Sequence, residues 1–296
     1  MARTGLTYSE ALAAEIECPQ ASPGQAAFEA QLLRKIGNGL RPYESGSAAQ
    51  IAFGVRDVVV GRNKLVIVLA SRRALVAFAS AVVPVLNPDR TDLEGIPGLR
   101  VEYSDVGVEL RLRLRHRPGR IVLDGVGAAQ WIDALEHTYD RSLLASSAHL
   151  GDERSLHPIE DRVLRSSLFV KPPRHVARRF SLLSAILRRP NVFRFGSWMR
   201  FTDLWFDLSS TSDITVEWSG DLSSFDVASR LVDPRNGLPL RWHPEMPCLC
   251  EPCIDRRYAV ALLHVDDPRA RIWLTRSDLY DDEFPRGKPR RCMHLS

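Results

Sequence analysis

Apolar residues recur along the chain with two periods, and the changes of period mark out its elements. Ala27, Phe28, Leu32, Leu33 and Ile36 fall at helical spacing, which predicts a helix over Pro23–Ile36 ended by Gly37–Gly39. A shorter helix is predicted at Tyr8–Ile16. Ile51–Val60 and Leu65–Ala70 read as strands joined by a Gly61–Asn63 turn. Arg72–Leu86 reads as a helix burying Leu75, Phe78, Ala79, Val82 and Val83. In Val108–Arg117 the period drops to two: Val108, Leu110, Leu112 and Leu114 alternate with Glu109, Arg111, Arg113, Arg115 and Arg117. That strand should turn its leucines to a core and its arginines outward. Pro118–Gly119 turns the chain, Arg120–Leu123 returns as a partner strand, and Ala128–Tyr139 follows as a helix.

Beyond a polar stretch at 141–161, with a weak helix start near Pro158, helical spacing returns. Val176, Phe180, Leu183 and Leu187 stripe one side of Arg174–Arg189, opened by Pro172–Pro173 and stopped by Pro190. Val192–Phe195, Phe201–Leu208 and Ile214–Trp218 are strand-like, and Asp221–Val232 is helical. Tyr258–Val265 and Ala270–Thr275 form a hairpin across Asp266–Asp267–Pro268. No repeat is visible in the sequence. The pattern predicts an α+β protein: an N-terminal helical segment (1–50), a sheet-and-helix domain (51–140), a polar linker with a basic amphipathic helix (141–190), and a β-richer domain (191–296).

Charge changes this picture at one place. Residues 162 to 202 hold ten Arg or Lys and no Asp or Glu; in a chain of net charge +4 the remainder therefore carries −6. Segregation of this kind predicts a strong local field. Phe180, Phe193, Phe195, Trp198, Phe201 and Trp205 lie within or just beyond the same stretch, and arginine interleaved with aromatics suits phosphate contacts and base stacking. The lysines are only Lys35, Lys64, Lys171 and Lys288. Arginine replaces lysine either for bidentate contacts or through arginine-favouring codon usage. The most apolar internal run, Ala74–Leu86, falls short of the ~20 residues of a membrane span and contains Pro84. Neither a secretory signal nor a span is expected.

Three of the five cysteines fall in Cys248-Leu-Cys250-Glu-Pro-Cys253. An odd cysteine count suits a reducing, cytoplasmic setting better than a disulfide framework. Three thiolates this close can share one metal. The hairpin that follows would bring Cys292 back as the fourth ligand, with His294, His243 and His264 as alternatives, and zinc is the metal such a set suits. The competing reading is three reduced cysteines packed about a proline-rich turn. P-loop, G-x-G-x-x-G, G-x-S-x-G and H-E-x-x-H patterns are absent.

The function expected from these features is cytoplasmic nucleic-acid binding through backbone phosphates. Arg174, Arg178, Arg179, Arg188 and Arg189 form the main surface and Arg111, Arg113 and Arg115 the second, with a structural zinc site at the cysteines. For the strand arginines the alternative is pairing with acids such as Glu102 on a neighbouring strand, or cover by the 128–139 helix with Asp133 and Glu136. For the helix the alternative is an apolar stripe that simply fills the core. Two other functions compete: a metal-dependent hydrolase or nuclease using the Cys/His cluster or the Asp278–Glu283 acids, and an assembly subunit docking an acidic protein partner.

Overall fold

The structure is a computed structural model describing residues 19–39, 54–87, 92–104, 107–112, 119–138, 148–149, 155–166, 174–193, 198–202, 214–219, 222–236, 238–243 and 260–276. The Tyr8–Ile16 helix, the 40–50 loop, Arg113–Arg117, the cysteine cluster, Cys292, His294 and the Asp278–Glu283 acids lie outside the described residues.

The first helix, α1 (Pro23–Gly39), opens with proline at its first position, where the missing N–H costs nothing, and Ser22 accepts the Ala26 amide. Then come β1 (Val55–Gly61), β2 (Lys64–Leu69), α2 (Arg72–Val82), the two-residue strands β3 (Val85–Leu86) and β4 (Leu93–Glu94), β5 (Leu99–Ser104), β6 (Gly107–Leu112), β7 (Gly119–Asp124) and α3 (Ala128–Thr138). After β8 (Ala148–His149) come α4 (Pro158–Ser166), α5 (Arg174–Leu187), β9 (Trp198–Thr202), β10 (Ile214–Ser219), α6 (Ser224–Val232), β11 (Leu240–Trp242), β12 (Val260–His264) and β13 (Asp267–Arg276). This is the expected α+β class, with helices and two five-stranded mixed sheets.

Two local expectations fail for identifiable reasons. The helix at Arg72 stops at Val82 because Val83 turns extended (φ −67°, ψ 129°) ahead of Pro84, and Leu86 goes into β3. Val192 and Phe193, expected to begin a strand, lie in a 3-10 turn over Pro190–Phe193, in which the Val192 amide donates to the Arg189 carbonyl at 3.0 Å. The short helix continues the preceding one past a proline that cannot itself donate.

The topology reveals a repeat that the sequence hides. In the first sheet the strand order is β1-β2-β7-β6-β5; in the second it is β9-β10-β13-β12-β11. Each half therefore runs helix, antiparallel hairpin, crossover helix and three more strands, the last lying parallel to the second hairpin strand. That parallel pair matches position by position: Leu65 opposite Ile121 and Ile67 opposite Leu123 in one half, Ile214 opposite Ile272 and Val216 opposite Leu274 in the other. Both crossover helices start on a serine cap, with the Oγ of Ser71 accepting from Ala74 N and that of Ser223 from Asp226 N.

The halves join through their leading helices. α1 packs along α5; α1 rests on β7 of its own sheet and reaches β9 of the other, while α5 rests on β13 and its 3-10 extension reaches β1. One continuous buried cluster runs from Phe28, Leu33 and Ile67 through Phe180 and Leu183 to Val216, Trp218 and Ile272. The basic helix, expected as a connection between two units, is a central element of this shared core.

Candidate nucleic-acid interface

The arginines of the basic helix divide by position. Val176, Phe180, Leu183 and Leu187 are buried as their spacing predicts, but so are Leu182, Ser184 and Ile186 on adjoining faces. A helix enclosed on that many sides must also enclose its charges. Arg179 is 2% exposed, Arg188 1% and Arg189 7%, so the expectation that these three face a phosphate backbone is corrected. Arg174, in the first turn, is exposed, and Arg178 is half-exposed and bridged to Asp266 at 3.2 Å.

Arg188 holds the two halves together. Its Nε donates to Glu29 Oε2 and one terminal nitrogen to Glu29 Oε1, both at 2.7 Å. The guanidinium also donates to the carbonyls of Pro19 (2.7 Å) and Gly61 (2.9 Å). Glu29, fully buried in α1, accepts further bonds from Ser184 Oγ at 2.5 Å and Gln25 Nε2 at 2.7 Å. Gln25 in turn clamps the backbone of Arg120 in β7 by accepting from its amide (2.8 Å) and donating to its carbonyl (3.0 Å). A buried pair persists only when its lone pairs and protons are satisfied in this way. Arg189 turns back on its own helix, donating to the Ala185 carbonyl at 3.1 Å.

Over the described residues the strand expectation holds for its apolar side but not for an open, free-charged outer side, since Glu109 is itself buried at 6% exposure. Val108, Leu110 and Leu112 are buried and Arg111 is exposed. Arg111 Nε lies 2.6 Å from Glu109 and 3.0 Å from Glu102, and Arg120 of β7 reaches Glu109 at 2.5 Å. Burial pushes the Glu109 carboxyl up, but the hydrogen bonds from Arg120 and Arg111 together outweigh it and hold the group below its ordinary pKa. The pairing with Glu102 is the alternative weighed for this strand. The Asp133 carboxylate of α3 goes instead to Arg72, at 2.7 Å. Arg113 and Arg115 lie outside the described residues, as do Cys248, Cys250, Cys253 and Cys292. Among the described residues no three His, Cys, Asp or Glu side chains gather to hold a metal. His264 is buried in β12, its Nδ1 accepting the Asp266 amide at 3.1 Å.

The Arg178–Asp266 bridge brings the exposed end of α5 to the turn joining β12 and β13. At that end of the second sheet, Arg241, Leu263 and Arg271 stand in one row across β11, β12 and β13, on the face away from Ile272 and Leu274. Trp273 follows two positions along the same face, in register with Ala261 and Thr215. Arg241 is exposed; Arg271 and Trp273 are half-buried. The face is not purely basic, since Glu217 lies on it one row beyond Trp273.

These three residues escaped the sequence reading although the signal was present. Arg271-Ile272-Trp273-Leu274 alternates with period two, so an outer face carrying Arg and Trp was implied by the hairpin itself. Glu29 was equally readable as an acid set between Phe28 and Leu33 on a core helix. No family model, curated protein or solved structure matches this chain.

Proposed function

We propose that this protein binds single-stranded nucleic acid at the turn end of its second sheet, using Arg174, Arg178, Arg241 and Arg271 for phosphates and Trp273 for a base. The observation that carries this reading is the Arg178–Asp266 bridge, which brings the basic end of the helix, lying over the Ile272 face, to the turn at the end of the sheet whose opposite face carries the arginine row. A sheet face with an aromatic and flanking arginines suits splayed single strands: bases stack on the ring and guanidiniums follow the backbone. The protein acts by binding in this reading, and the arginines buried in α5 serve the fold.

Fluorescence anisotropy with single-stranded and duplex probes tests it. The single strand should bind more tightly, with affinity falling as salt rises. Converting Arg174, Arg178, Arg241 and Arg271 to alanine together should shallow the log K against log salt slope by roughly 0.7 per lost phosphate contact. Trp273→Ala should weaken binding by about 1–3 kcal/mol with little change of slope. Failure of both probes to bind at low salt would remove the reading.

The structural zinc site remains part of the proposal, on Cys248, Cys250, Cys253 and Cys292, in a reducing cytoplasmic setting. Elemental analysis of protein purified without chelator should find about one zinc per chain, and Cys250→Ser should lose it and lower the melting temperature. A metal-free preparation that melts where the untreated protein does would leave the cysteines as packing residues. No helix among the described residues is long and apolar enough to cross a membrane.

A further inference from the structure

We propose that the outer face of the first sheet is a self-association surface, on which a second copy of this chain packs about a two-fold axis. The face has three rows running across the strands. The middle row carries Val122, Val66 and Val59, adjacent in register on β7, β2 and β1, with Val68 one row beyond. These valines point away from the core, into which the alternate residues Leu65, Ile67, Ile121 and Leu123 point. Val59, Val66 and Val68 are half-buried and Val122, beside Glu109, is buried. At the other side of the same face α4 is already docked: Arg100 of β5 donates to Glu160 of α4 at 2.7 and 2.9 Å. An element packed there shows that this face accepts cover, and the valine strip continues it toward β1.

Charge decides the occupant. The row on one side of the valines carries Lys64 and Arg120, the latter bridged to Glu109, which stands next to Val122 in the middle row; the row on the other side carries Asp124 and Asp57. A two-fold axis lying in the interface and running across the strands turns the basic row of one copy onto the acidic row of the other, with valine on valine between them. An axis along the strands would set basic on basic and acidic on acidic, so the pattern selects one arrangement. The surface is then self-complementary, as an isologous dimer requires. Adjacent strands are ~4.8 Å apart and alternate residues ~6.7 Å apart, so three strands by three rows give only a few hundred Å² per copy, well under the ~800 Å² of a standard interface. The dimer should therefore be weak, concentration-dependent and weakened by salt.

Sedimentation velocity over a concentration series at low and high salt tests this on the full chain. The protein should shift from monomer toward dimer as concentration rises, less so in high salt. Lys64→Asp and Asp124→Lys should each weaken association about tenfold or more by facing like charges, with melting temperatures unchanged. A chain that stays monomeric at every concentration overturns the proposal. So does a dimer indifferent to both single reversals. The nucleic-acid variants at Arg241 and Arg271 lie on the other sheet and should leave the dimer unaltered.

Discussion

Arg188→Ala is expected to destabilise the protein by about 3–5 kcal/mol. The reason is what the substitution leaves behind. Glu29 is fully buried and Arg188 supplies two charged donors to it, so truncation strands a carboxylate in the core with, among the described residues, Ser184 and Gln25 left to donate to it. The carbonyls of Pro19 and Gly61 lose their donor at the same time. A loss of this size is a large share of the 5–15 kcal/mol that holds a domain folded. Urea unfolding followed by circular dichroism reads it directly. Were Arg188 a solvated phosphate-binding side chain, the same substitution would stay within about 0.5 kcal/mol.

Phe180→Ala carries the second large effect, expected at about 3–5 kcal/mol. Phe180 lies in α5, which packs on α1 and β13, is part of the continuous cluster that spans both halves, and is 2% exposed. Removing its ring opens a cavity where the halves meet, and the surrounding strands are tied by their ladders and cannot collapse into it. Arg174→Ala, six residues earlier on the same helix but exposed, should cost within about 0.5 kcal/mol. Comparing the two melts separates the reading of α5 as a core helix from the reading of it as a surface helix. Similar small losses for both would place the helix outside the core.

Most elements were legible from period alone. The helix spacing of Ala27, Phe28, Leu32 and Leu33, the alternation of Val108, Leu110 and Leu112, and the β12–β13 hairpin all appear as expected. Boundaries failed where proline chemistry intervened, at Pro84 and Pro190. The repeat was not legible because matched positions share a core location but only some share a residue, as Val108 does with Val260 and Leu110 with Leu262. The strand ladders equate Leu112 with His264 and Val101 with Trp242, which differ in size and polarity. The charge reading failed differently. A run without acids implies a positive surface only if its counter-charges are absent in space, and here they arrive from afar. Glu29 lies 159 residues from Arg188, and Asp266 comes to Arg178 from the far end of the chain. Short-range charge counting cannot see either. It did anticipate Glu102 beside Arg111, because adjacent strands of a meander are also near in sequence.

The central claim is that the basic helix serves as the internal joint of two matching halves, fastened by Glu29 and Arg188. A double-mutant cycle tests it most directly: Glu29→Ala, Arg188→Ala and the pair together, each unfolded in urea. The account predicts that the double variant loses less than the sum of the singles by between about 0.5 and 3 kcal/mol, because each single strands a buried charge that the double removes. Losses that add to within about 0.3–0.5 kcal/mol would show that the two side chains do not meet, and would contradict it.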